Sequence, residues 1–121
     1  MISCTFDKVL KAPGGEMKLQ LALEIQQGEL VTLYGASGAG KTSSLRMLAG
    51  LMRPDSGRIV VGGTPWFDSA AKINLRPQQR NLGFVFQDYA LFPHMTVREN
   101  LEFGAGAGSD KKRVSHLIEM V

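Results

Sequence analysis

Gly35-Ala36-Ser37-Gly38-Ala39-Gly40-Lys41-Thr42 follows the pattern G-x-x-x-x-G-K-[ST], and its two flanks decide the fold. Before it, Glu29-Leu30-Val31-Thr32-Leu33-Tyr34 is short, apolar and partly β-branched, which predicts a buried strand. After it, residues 42–50 predict a helix, with Leu45, Leu48 and Ala49 at helical spacing and Gly50 as its stop. Strand, glycine-rich turn, helix is the context in which this pattern holds phosphate. Glycines let successive N–H groups turn toward one anion, and the helix N-terminus adds partial positive charge. Lys41 supplies a full charge for terminal phosphates, and the Thr42 hydroxyl is the expected Mg²⁺ ligand. Gly38-x-Gly40 also opens a dinucleotide-type G-x-G-x-x-G, but the third glycine would fall on Ser43 and a lysine sits inside. The phosphate cradle is therefore the stronger reading, with Gly35 through Ser43 as the nucleotide-binding residues.

Outward from this stretch the chain reads as an α/β protein. Ile2–Asp7 and Met17–Glu24 predict two antiparallel strands, the second alternating apolar and polar residues, with Pro13-Gly14-Gly15 as their turn. Gln27-Gly28-Glu29 is a second tight turn. Arg53-Pro54-Asp55-Ser56-Gly57 is turn chemistry, and Arg58–Val61 a strand closed by Gly62-Gly63. Residues 64–81 read as irregular, broken by Pro65 and Pro77, with Trp66-Phe67 as a packed aromatic pair. Leu82-Gly83-Phe84-Val85-Phe86 predicts the next apolar strand, running into Gln87. Thr96 and Glu99 form a capping box for a helix to about Phe103. Residues 104–109 read as a connector, and Asp110 as the cap of a helix from Lys111 whose apolar face is Val114, Leu117, Ile118 and Val121.

Composition bounds the function classes. The 121 residues, 44% hydrophobic and 21% charged, suffice for one modest core. No apolar run approaches the ~20 residues of a bilayer-spanning helix, and no signal-peptide core opens the chain, so a membrane role is expected to run through a protein partner. The single cysteine, Cys4, reads as a small strand residue suited to a reducing compartment. Net charge is +3, and Lys111-Lys112-Arg113 reads as a solvated helix face, so no nucleic-acid partner is expected.

Four segments in order resemble the ATP-binding subunits of ABC transporters. They are the phosphate loop, Leu48-Ala49-Gly50-Leu51 with Pro54-x-Ser56-Gly57, Val85-Phe86-Gln87-Asp88, and Tyr89 through Asn100. Residues 36–43 and Trp66-Phe67-Asp68-Ser69 are most similar to ATPases of molybdate importers. The Leu91-Phe92-Pro93-His94 block is shared with sulfate and ferric-iron importer ATPases. The resemblance implies a P-loop NTPase core with an N-terminal antiparallel β subdomain, and ATP with Mg²⁺ as ligands. It implies that Gln87 binds Mg²⁺ and reaches the attacking water, making Gln87 and Lys41 the catalytic pair and Thr42 and Gln87 the metal ligands. A carboxamide can serve a metal and a water together. The region 88–98 would receive a transmembrane permease subunit at the cytoplasmic face of the inner membrane, and a second copy would complete a homodimer.

Two departures follow from the same resemblance. The adenine-stacking aromatic has no counterpart in Asp7–Lys11, and Phe6 is the nearest candidate. The L-S-G-G-Q signature, the acidic catalytic strand and the switch histidine are also lacking, so residues 1–121 are expected to be the N-terminal part of a longer nucleotide-binding domain, alone capable of nucleotide binding at most. A GTPase would need an Asn-Lys-x-Asp guanine reader, which does not occur, and a small kinase has no use for the 87–100 block. The non-enzymatic alternative is a nucleotide-binding or dimerising segment without turnover.

Overall fold

The computed structural model describes residues 1–106, 108 and 111–121. It falls into two units, Met1–Phe84 and Val85–Val121. In the first, β1 (Ile2–Ala12) and β2 (Gly15–Ile25) form a long hairpin in full antiparallel register, from Ile2 opposite Ile25 to Ala12 opposite Gly15. Both strands outrun their predicted spans. Pro13 and Gly14 make the turn, and Gly14 takes φ 91°, open to glycine without a Cβ penalty. Along β2, Met17, Leu19, Leu21, Leu23 and Ile25 turn inward and their neighbours outward, as the alternation predicts.

β3 (Ser56–Val61) pairs with the other edge of β1, and Gly62-Gly63, both at positive φ, turns the chain into β4 (Thr64–Asp68). This corrects the irregular reading of residues 64–81. Pro65 is accommodated because the ladder shifts register between Ile59 and Val60: Ile59 faces Phe67 but Val60 faces Pro65. At such a bulge a missing N–H costs little. A two-residue β5 (Ile73–Asn74) completes the sheet, in order β2-β1-β3-β4-β5 and antiparallel throughout. A 3-10 turn, Pro77–Gln79, follows.

Helix α1 (Lys41–Ala49) covers one face of this sheet. The core is Cys4 and Phe6 of β1, Ile59 of β3, Phe67 of β4 and Met47 of α1, flanked by half-buried Leu19, Leu21, Leu23 and Leu48. Phe67 packs as the sequence suggests. Of the residues at helical spacing, Ala49 is buried and Leu48 packs against the core, while Leu45 is 47% exposed and Ser44 and Met47 are buried beside them. Gly50 ends α1 at φ 82°, with Gly50 N–H on Met47 O and Leu51 N–H on Arg46 O, the paired bonds of a Schellman stop.

Two further expectations are overturned. Neither Glu29–Tyr34 nor Leu82–Phe86 is a strand, and Leu30, Tyr34 and Val85 stand almost fully exposed instead of buried. Apolar, β-branched composition makes a segment competent for a sheet, but the strand exists only when a neighbouring backbone completes the ladder. Among the described residues no ladder includes either segment.

In the second unit, α2 (Val97–Ala105) starts at the predicted capping box. Glu99 N–H donates to Thr96 Oγ1 at 3.2 Å, and Thr96 N–H donates to the Glu99 carboxylate at 2.8 Å. α3 (Lys111–Glu119) buries Val114 and half-buries Ile118, while Leu117 and Val121 are exposed. The predicted Asp110 cap lies outside the described residues, as does part of the 104–109 connector.

Candidate functional site

The glycine-rich stretch is an exposed loop that passes directly into α1. Ala39 N–H donates to Ala36 O at 3.1 Å, closing a turn, while Gly38 at φ 80° and Gly40 at φ 91° carry the chain through left-handed conformations. At Gly40 a side chain is disfavoured twice, by the left-handed conformation and because a Cβ would crowd Leu19 Cδ1 of β2 at 3.0 Å. Gly40 is also the N-cap of α1. It offers no side-chain acceptor to the first turn, and no acidic residue occupies that turn. Most helices place Ser, Thr, Asp or Asn here; this one leaves its positive end open to an external anion.

Lys41 supplies the cation. Its ammonium donates to Gly35 O at 2.6 Å and Ala36 O at 2.7 Å, folding the side chain over the mouth of the loop. The charge is held on carbonyls, and among the described residues no carboxylate pairs with it. Thr42 is exposed and Ser43 half-buried beside it, and Ser44 turns inward, its hydroxyl donating to Gly40 O at 2.8 Å. Gly35 through Ser43 thus form one continuous stretch of loop and first helical turn, with the Lys41 ammonium bonded back to its opening carbonyls. These groups fit a phosphate chain carrying Mg²⁺. Among the described residues no group of three His, Cys, Asp or Glu could hold a metal by itself.

Gln87 sits in an exposed bend of the second unit. After it, Tyr89 and Leu91 are exposed, while Phe92 packs edge-on against Phe103 at 4.8 Å between centroids. Asn100 staples this loop to α2: its Oδ1 accepts from Phe92 N–H at 2.9 Å, and its Nδ2 reaches Phe92, Met95 and Thr96 carbonyls. Phe6 is corrected as an adenine platform, because it is 1% exposed inside the core. Cys4 is buried too, and burial raises its thiol pKa against a lowering contact with the Leu23 backbone, as for an inert structural thiol.

Arg80 is the site-associated residue that sequence reading missed. It is 3% exposed and lies beneath the C-terminus of α1. Burial lowers its pKa from the ordinary value. No local pattern flags it, since its partners come from segments far apart in the chain.

A family model described as ABC transporter matches residues 19–121. The molybdenum import ATP-binding protein of Paramagnetospirillum magneticum is 46% identical over 115 residues, covering 95% of this chain and 31% of the relative. A ferric-ion import ATP-binding protein of Brucella suis is 48% identical over 111 residues, covering 91% of this chain and 30% of that one. The chain therefore spans about a third of the length of these curated relatives. A solved dimeric structure of a bacterial ABC transporter cassette superposes with a TM-score of 0.73 at 26% identity, covering 98% of this chain and 55% of the cassette. The same cassette was also solved as a dimer in a post-hydrolysis state bound to ADP and Pi.

Proposed function

The chain belongs to the ABC transporter family, and from that premise we propose that it is the N-terminal part of an importer's ATP-binding subunit, which hydrolyses ATP to drive uptake of an oxyanion, molybdate foremost. The observation that carries the reading is Lys41 folded across a glycine loop at the uncapped start of α1. Backbone N–H groups of residues 36–42 would grip the phosphates, Lys41 would leave its two carbonyls for the terminal phosphate oxygens, and Thr42 would take the metal. Gln87 would hold the same metal and orient the attacking water. Mg²⁺, when bound, neutralises charge on the β- and γ-phosphates.

In this reading residues 1–121 run from the phosphate loop through the glutamine loop of a nucleotide-binding domain. The exposed apolar side chains of residues 29–34 and 82–86 fit a sheet completed by further sequence of the same domain. The 88–98 surface would meet the permease, placing the subunit peripherally at the cytoplasmic face of the inner membrane, with a second copy as dimer partner. No helix among the described residues is long and apolar enough to cross a membrane.

Molybdate is favoured by the 36–43 and 66–69 segments, with sulfate and ferric iron as the alternatives. Reconstitution of the intact subunit with its permease and binding protein in vesicles tests this. ATP hydrolysis stimulated by molybdate-loaded binding protein, and not by sulfate or ferric iron, is the expected result. Stimulation by another solute reassigns the substrate, and the absence of ATP hydrolysis under every condition overturns the ATPase reading.

A further inference from the structure

Arg80 lies forty residues beyond the phosphate loop in sequence, yet it ties the loop's helix to the sheet. Nη1 donates to Met47 O at 2.9 Å and Leu48 O at 2.8 Å, both in the last turn of α1. Nη2 donates to Trp66 O of β4 at 3.3 Å and Asn74 Oδ1 of β5 at 3.1 Å, and Nε donates to Leu75 O at 3.1 Å. A guanidinium has five N–H donors, and each finds an acceptor here. The ring of Trp66 lies 5.8 Å from Cζ, adding a cation–π contact. Gly50 closes the socket, since a Cβ there would lie 2.8 Å from Nε.

A core filler would not be charged. These partners are all neutral and among the described residues no carboxylate pairs with the buried cation, so an apolar residue of similar volume would be the cheaper way to occupy the space. What the guanidinium supplies is direction. A planar fork with every donor engaged has one orientation, so it sets the axis of α1 against β4 and β5. Its charge also meets the negative end of the α1 dipole, opposite the end that faces phosphate. The helix is a nine-residue rod, and a tilt at Met47 and Leu48 is carried to Lys41 and Thr42.

We propose that Arg80 is a positioning residue of the phosphate site: by clamping the last carbonyls of α1 to β4 and β5, it sets where that helix presents Lys41 and Thr42. This rests on the nucleotide reading of residues 35–42, and the test separates the two.

The test compares MgATP and AMP binding by calorimetry on the intact protein, with far-UV circular dichroism as a check on folding, for Arg80→Lys, Asn74→Ala and Lys41→Ala. Lysine keeps the charge but not the fork. Arg80→Lys is expected to bind MgATP roughly tenfold more weakly, as a misaligned site does, while its affinity for AMP, which lacks the phosphates that Lys41 and Thr42 serve, stays unchanged. Asn74→Ala removes one acceptor from an exposed residue and is expected to move MgATP affinity in the same direction, less far. If Arg80→Lys does not fold, Asn74→Ala carries the comparison. Equal losses for MgATP and AMP, or an unchanged MgATP affinity in a folded variant, overturn the proposal. An unchanged affinity in Lys41→Ala removes the phosphate site itself, and this proposal with it.

Discussion

The Lys41 ammonium donates to the Gly35 carbonyl at 2.6 Å, so the lysine that starts the helix reaches back to the residue that opens the loop. Phosphate oxygens are stronger acceptors than these carbonyls, and the side chain is already aimed at the cradle they would fill. Charge-assisted bonds of this kind contribute about 1.5–3 kcal/mol each. Lys41→Ala should therefore weaken MgATP binding by about tenfold or more. The fold should survive, because the ammonium supports only exposed loop carbonyls. Calorimetry with a thermal melt on the same sample checks both halves.

Gln87 makes a contrasting prediction. It lies in an exposed bend, away from the glycine loop in sequence, and its proposed task is to orient metal and water. Gln87→Ala in the intact subunit should leave MgATP affinity close to wild type and depress hydrolysis, most of all hydrolysis stimulated by the permease. A loss of affinity as large as that of Lys41→Ala would make Gln87 a binding residue. Paired binding and phosphate-release measurements distinguish the two.

Gly57 faces Phe6 across the β1–β3 ladder at φ 123°, and a Cβ there would lie 2.1 Å from Thr5 O and 2.5 Å from Phe6 Cα. Backbone atoms cannot move aside as a side chain can. Gly57→Ala should cost more than the ~1–3 kcal/mol typical of a strained conformation alone, because the clash adds to it. Gly62 is the control: it has φ 56° but open space around a built Cβ. Gly62→Ala should cost only the left-handed penalty of about 1–2 kcal/mol. Urea midpoints for the two variants should differ accordingly.

Asp55 ties the turn after α1 to the hairpin. Its carboxylate accepts from Val9 N–H at 2.8 Å and pairs with Lys8 at 3.2 Å, and its own N–H donates to Asp7 O. The Val9 hydrogen bond, then Lys8, hold its pKa below the ordinary carboxylate value. A pKa lower in the folded state than in the unfolded one contributes stability above the unfolded value, which for Asp is about 3.9, and loses it as pH falls through the folded value. Acidification below about pH 4 should therefore erode stability, and Asp55→Asn should flatten that limb of the profile. Urea titrations across the acid range test the sign; an identical acid limb in the variant would assign the effect to other carboxylates.

Much of the glycine loop was legible because its signals are local. Gly38 and Gly40 announce left-handed turns, Lys41 and Thr42 stand at fixed offsets, and Gly50 stops the helix; each depends only on the conformational freedom of its own residue and the next few. The capping box of Thr96 and Glu99 closes over three residues and was read correctly for the same reason. The buried face of α1 is less legible. Leu45 fits the apolar spacing as well as Met47 does, and only the position of the sheet chose Met47.

The chain by itself therefore determined the turns around the glycine loop, the Thr96 cap, the Gly50 stop and the β1–β2 hairpin, all of which are written in φ preference, short-range hydrogen bonds and side-chain alternation. Tertiary structure alone decided what needs a distant partner. It admitted Pro65 to β4 through a bulge against β3, left residues 29–34 and 82–86 outside any described ladder, enclosed Phe6 in the core and gathered the five acceptors around Arg80 from α1, β4, β5 and Leu75. A strand or a buried guanidinium is completed by groups tens of residues away, and no short stretch of sequence carries their positions.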